Sequence, residues 1–140
     1  MPSLRHLLLC ALTACIAACK STEVEISNDH GVTAVQFQDL VVPDGMKMLD
    51  RYHESHSREE AGWRYGHYVY SGQPKIDDVA GHLLLRMPQH SWVVASDERP
   101  DESTRRLRFT RGRYVAEYTI TREHGSTVMV IDYKTQIESR

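Results

Sequence analysis

The sequence predicts an α+β fold, an antiparallel sheet of about five or six strands with one amphipathic helix packed on one face. Three observations lead there. A single apolar stripe at helical spacing runs from Ile76 to Met87. Around it, runs of β-branched and aromatic residues alternate with polar ones. The links between the later runs are only a few residues long, which suits antiparallel neighbours, because a parallel crossover needs a dozen residues or more.

Taken in chain order, residues 32–42 carry Val35, Phe37 and Leu40 and are expected as a first strand, closed by the turn Pro43-Asp44-Gly45. Met46 to Leu49 reads as a strand or a short connection. Residues 50–61 are polar and rich in charge and histidine, so a loop or ragged strand is expected. Residues 64–71 (Arg-Tyr-Gly-His-Tyr-Val-Tyr-Ser) form an aromatic, β-branched strand closed by Gly72.

The helix is expected over about 74–87. Ile76, Val79, Ala80, Leu83, Leu84 and Met87 fall on one side of a 3.6-residue period. Pro74 suits the first turn, Asp77 and Asp78 favour the positive end of the helix dipole, and Pro88 stops the helix. Gly81 costs about 1 kcal/mol relative to Ala inside a helix, which suggests a close approach to the sheet. Four strands follow: residues 91–96, 104–110, 113–121 and 127–134, with a tight hairpin at Arg111-Gly112 and a turn at His124-Gly125-Ser126. Their polar alternation leaves one sheet face wet.

The amino-terminal end is of another kind. Arg5 and His6 precede Leu7-Leu8-Leu9-Cys10-Ala11-Leu12-Thr13-Ala14-Cys15-Ile16-Ala17-Ala18, about a dozen apolar or small residues, and no acidic residue occurs before Glu23. A spanning helix needs roughly 20 such residues. The run Ile16-Ala17-Ala18-Cys19 resembles the lipobox of bacterial lipoproteins. In that family the cysteine thiol receives a diacylglycerol, the signal is cut away before it, and the new amine is acylated. The resemblance covers residues 1–19. It implies a signal peptide at 1–18 and a lipid on Cys19; the polar, aperiodic stretch that follows makes 19–31 a lipidated start and tether, and the remaining length suits a single domain at 32–140. Leu12-Thr13-Ala14-Cys15 also fits, leaving Cys15 as the alternative, with an uncleaved anchor or ordinary signal as the plainer one. Two or more acyl chains suffice for stable anchoring. Because Lys20 and not Asp follows Cys19, the resemblance implies the periplasmic face of the outer membrane in a Gram-negative envelope.

All three cysteines lie at or before Cys19, so the domain beyond has neither a disulfide nor a free thiol. Losing Arg5 with the signal leaves 16 basic residues against 19 acidic ones. That balance argues against a nucleic-acid partner. The run Tyr70-Ser71-Gly72, Val79-Ala80, Met87-Pro88, Trp92 and Leu107-Arg108-Phe109 resembles small domains of uncharacterised bacterial envelope lipoproteins. More loosely, it is similar to the helix-on-sheet domains of lipoproteins in outer-membrane assembly machinery. The implied partners are the membrane, through the lipid, and an envelope protein.

Candidate chemistry is sparse. His53 and His56, with Glu54, Glu59, Glu60 and His67 nearby, are metal-ligand types, but zinc needs three or four ligands and no His-Glu-x-x-His is present, so a solvated loop is the better reading. Trp63, Tyr65, His67, Tyr68 and Tyr70 form an aromatic run able to offer a sugar- or peptide-binding platform, although such a run more often alternates between core and wet face. Arg105, Arg106, Arg108, Arg111 and Arg113 make a basic hairpin, able to meet anionic headgroups but read first as an edge strand protected by charge. There is no Gly-x-Ser-x-Gly and no phosphate loop, and the mature chain holds no cysteine free to act as a nucleophile. The sequence therefore points to a non-catalytic binding or scaffolding lipoprotein with no cofactor beyond its covalent lipid. The alternative is a binder of small ligand, glycan or metal through the aromatic strand and the His53–His67 region.

Overall fold

The computed structural model describes residues 37–49 and 53–136. These form one open antiparallel sheet of seven strands with a single α-helix. The strands are β1 Met46–Met48, β2 His56–Glu60, β3 Trp63–Gly72, β4 Val93–Asp101, β5 Thr104–Arg111, β6 Tyr114–Glu123 and β7 Ser126–Thr135, and the helix is α1 Ile76–Arg86. The sheet is thus larger than the five or six strands expected, because two short strands precede β3.

Across the sheet the order is β1-β3-β7-β6-β5-β4, with β2 also paired to β3. From β3 the chain crosses over through α1 to the far edge, then returns strand by strand until β7 closes against β3. That closure runs in register from Tyr65 opposite Lys134 to Gly72 opposite Thr127. β1 and β2 share one edge of β3, β1 facing residues 70–72 and β2 facing residues 63–67. Between them the Ser55 hydroxyl accepts the Val69 N–H at 3.0 Å, and the Leu49 N–H donates to the Val69 carbonyl at 2.8 Å. Ser55 thereby replaces a missing backbone partner where the edge strand breaks. The polar segment read as a loop or ragged strand is a regular strand from His56, returned by the two-residue turn Ala61-Gly62. Both turn residues have positive φ, 48° and 76°, as a tight hairpin with native twist requires.

The helix begins at Ile76, and its Val79 N–H is bonded to the Lys75 carbonyl. Pro88 does not simply stop it. The chain tightens into a 3-10 turn, Met87–His90, that ends at Ser91 in the left-handed region. Val79, Ala80, Leu83 and Met87 are buried against the sheet, as the stripe demands. Gly81 is exposed, and a Cβ built there would meet nothing within 4 Å, so the expected close approach does not exist. Strand β4 starts at Val93 and runs on through Pro100, further than the expected 91–96. It is tolerant of proline and of two register shifts because it is an edge.

Of the strand expected over 32–42, residues 32–36 lie outside the described residues, and residues 37–42 lie instead as a strap across the helix side of the sheet. A turn with the Leu40 N–H on the Phe37 carbonyl at 3.1 Å lets Phe37, Leu40 and Val41 all face the core. Side-chain donors fix it from below: the Trp92 Nε1–H donates to the Asp39 carbonyl at 2.8 Å and the Tyr118 hydroxyl to the Val41 carbonyl at 3.2 Å. Backbone groups that a strand would satisfy by pairing are met here by an indole and a phenol. The core under the strap and helix holds Tyr68, Tyr70, Leu107, Phe109, Tyr118, Ile120, Met129, Ile131 and Tyr133.

Candidate functional site

Strand β3 decides what becomes of the aromatic run. Successive side chains point to opposite sheet faces. Tyr68 and Tyr70 point toward α1 and are 0% and 3% exposed, so they are core. Trp63, Tyr65 and His67 lie on the open face. The five residues expected to form one platform are therefore split by the pleat, and only three remain together. Gly66 marks the same division: on the helix side, a Cβ there would lie 2.6 Å from the Tyr68 ring.

On the open face the rings form a ladder. Trp63 stacks on Tyr65 at 6.2 Å with an interplanar angle of 7°, and His56, directly opposite His67, stacks on it at 5.4 Å. Asp132 holds His67 through Nδ1 at 2.7 Å. His53 sits exposed in the preceding turn, 4.0 Å from Glu54. Among the described residues no group of three or more His, Cys, Asp or Glu is arranged to hold a metal ion.

The hairpin arginines are also redistributed. Four of them lie on β5, which runs between β4 and β6, and Arg113 lies in the turn that follows, so charge there does not protect an edge; β4 is the edge. Arg106 and Arg108 fall on the open face, where Arg108 meets Glu117 at 3.3 Å across the pair. Arg105 and Arg111 fall on the helix side. Arg105 grips Asp97 with a two-pronged contact at 2.9 and 2.8 Å and reaches Asp77 at 3.1 Å. That fork holds the Asp97 carboxyl below the ordinary carboxylate range.

Arg111 belongs to a cleft of about 510 Å³ at the strap. Phe37, Gln38 and Asp39 come from the strap, Ser57, Arg58 and Glu59 from β2, Arg64 from β3 and Arg111 from β5. Its guanidiniums are held on two sides. Arg64 donates from Nε to Glu59 at 2.8 Å and lies over Phe37 at 5.3 Å. Arg111 is paired with Asp39 and lies over Trp92 at 4.7 Å. The hydrogen bond to Glu59 and the neighbouring Tyr133 phenol keep Arg64 protonated far above its ordinary value. Burial pushes the Tyr133 phenol up, and Arg64 pulls it part of the way back. The Tyr133 hydroxyl is buried and makes no hydrogen bond of ordinary geometry among the described residues. A second, smaller cleft of about 200 Å³ is lined by Ser96, Glu98, Arg106, Arg108, Glu117 and Thr119 among others.

Sequence reasoning did not find Asp39, Arg58 or Arg64, and it read Arg111 for another role. No local signal was there to find: Asp39 and Arg111 are 72 positions apart. Cys19, and with it Cys15, lies outside the described residues. Among the described residues no helix is long and apolar enough to cross a membrane. In comparisons with protein-family models, curated proteins and solved structures, this chain matched none.

Proposed function

We propose that the protein is a lipid-anchored envelope protein, held through Cys19, whose domain acts by binding in the strap cleft and not by catalysis. The observation that carries the binding half is the cleft itself. It is about 510 Å³, within the range of small-molecule sites, and its arginines are fixed by rings and carboxylates before any ligand arrives. Support for the anchor comes from Ile16-Ala17-Ala18-Cys19 and from the confinement of all cysteines to that end. Replacing Cys19 with Ser should abolish incorporation of a clickable palmitate analogue and release the protein from the membrane fraction. Unchanged labelling and fractionation would sink the anchor.

A protein partner is the second reading, and a separate observation favours it. Val93 and Val94, at the start of edge strand β4, are 65% and 40% exposed, in a stretch able to accept an added strand. In-cell crosslinking from position 94 that captures no recurrent envelope protein would count against it.

A further inference from the structure

The geometry points to the cluster Arg64, Arg111 and Arg113 as a binding site for a phosphate-bearing anion, an assignment that rests on reading the strap cleft as the ligand site. The three guanidinium carbons lie 5.8, 5.9 and 5.5 Å from the centroid of one ring, that of Tyr114. Gathering three permanent cations around a single side chain costs free energy unless negative charge answers them. Two carboxylates do: Glu59 on Arg64 and Asp39 on Arg111. Arg113 donates to the Gly62 carbonyl at 2.7 Å and meets no carboxylate among the described residues. Positive charge is left over beside the cleft.

The unused donors agree with the charge. A guanidinium carries five N–H groups. Glu59 takes the Nε of Arg64, while Asp39 takes Nη2 of Arg111 and the His90 carbonyl lies 3.4 Å from its Nη1, so both arginines keep N–H groups to offer. A carboxylate ligand has two coplanar oxygens and is satisfied by one such fork. Arg64 from β3 and Arg111 from β5 line the cleft, and Arg113 lies outside its lining in the turn between β5 and β6; cations on separate elements suit a tetrahedral anion with three or more accepting oxygens. Because the rings already hold the guanidiniums, little side-chain freedom is lost on binding. Free phosphate and the phosphate of a lipid headgroup present the same oxygens.

The test uses the full lipidated chain in neutral detergent micelles, followed by calorimetry. One arm adds inorganic phosphate. The other adds phosphatidylglycerol to the micelles, with phosphatidylcholine as control. Saturable binding is expected in at least one arm, weakened by sodium chloride and reduced about tenfold in both Arg64→Gln and Arg113→Gln. Arg106→Gln, on the open face, should bind as the parent does. A response to phosphate assigns a soluble ligand; a response to phosphatidylglycerol alone assigns a headgroup. No saturable response in either arm, or parental affinity in the two arginine variants, overturns the site. Arg113 is exposed, so its variant carries the test if Arg64→Gln does not fold. Lipid on Cys19 is read from the intact mass of the same sample, which separates failure of the anchor from failure of the anion site.

Discussion

Two groups of arginines lie on the helix side of the molecule, and their surroundings differ. Beside α1, Arg99 and Arg105 face Asp77 and Asp97, two cations against two anions, at a largely exposed site. At the strap, Arg64, Arg111 and Arg113 crowd around Tyr114, with Glu59 and Asp39 as their only carboxylates among the described residues. The first group is electrically closed. It ties the edge strand β4 to the start of the helix. The second is held by aromatic rings, which fix guanidinium planes without neutralising them. The comparison teaches that an arginine's surroundings depend on what else shares its pocket: beside α1 carboxylates match the guanidiniums in number, whereas at the strap rings share the task with fewer carboxylates.

The comparison can be broken or sharpened by four measurements. The largest effect should come from Trp92, which is 2% exposed, supports Arg111 and fixes the strap. Trp92→Ala should cost about 3–5 kcal/mol in urea unfolding. Trp92→Phe, which keeps a ring but loses the bond to the Asp39 carbonyl, should cost more nearly 1 kcal/mol beyond its packing change. A loss in Trp92→Phe no larger than its packing change would mean that the indole N–H does nothing for the strap.

Next comes Arg111→Gln, which leaves the Asp39 carboxylate, 17% exposed, without its counter-charge. We expect about 1–3 kcal/mol by the same measurement. Arg99→Gln at the balanced site should cost below about 0.5 kcal/mol, since Arg99 and Asp77 are about half or more exposed. If Arg99→Gln were the more damaging of the two, the distinction between the groups would fall. Should the strap variants prove too unstable to measure, Gly81→Ala offers a compensating gain of up to about 1 kcal/mol at a site where the new methyl meets nothing.

The balanced group also has a pH signature. Asp97 titrates below its ordinary value, chiefly because Arg105 hydrogen-bonds its carboxylate. A depressed folded-state value contributes stability above the unfolded value near 3.9 and loses it as pH falls through the folded value. The contribution is discounted because Asp97 is about one third exposed, leaving tenths of a kcal/mol up to about 1. Asp97→Asn should therefore be less stable than the parent at about pH 6, and the difference should shrink as pH falls below the unfolded value near 3.9. A difference that persists in acid would assign the effect to something other than this pair.

The smallest effect is expected at the rim. Arg58, paired with Glu60 at a site where both are about two-thirds exposed, should change stability by less than about 0.5 kcal/mol on conversion to Gln. Its use is as a reference: any larger loss of phosphate binding than of stability would place it within the proposed anion site.

How far the sequence reached follows from the range of each interaction. The helix was legible because its stripe is local, six apolar residues at fixed spacing, and its acidic first turn sits where the backbone dipole asks for it. The hairpins β5–β6 and β6–β7 were legible for the same reason, from alternation and glycine punctuation. The strap was misread because Phe37, Leu40 and Val41 carry enough apolar character for a strand, while the partners that satisfy its backbone are Trp92 and Tyr118, far along the chain. The aromatic run of β3 was seen, but period-two geometry divides it between core and open face.

What the sequence determined by itself was one helix and most of the strands, since these depend on residues within a few positions of each other. It also supplied the apolar run ending at Cys19 from which the anchor is proposed. Only the tertiary structure decided that β4 and not β5 is an edge, that the aromatic strand serves two faces, and that Arg64, Arg111 and Arg113 surround one tyrosine. Those facts follow from strand order and from the crossover through α1, which bring together side chains whose attraction or repulsion has no trace in local spacing.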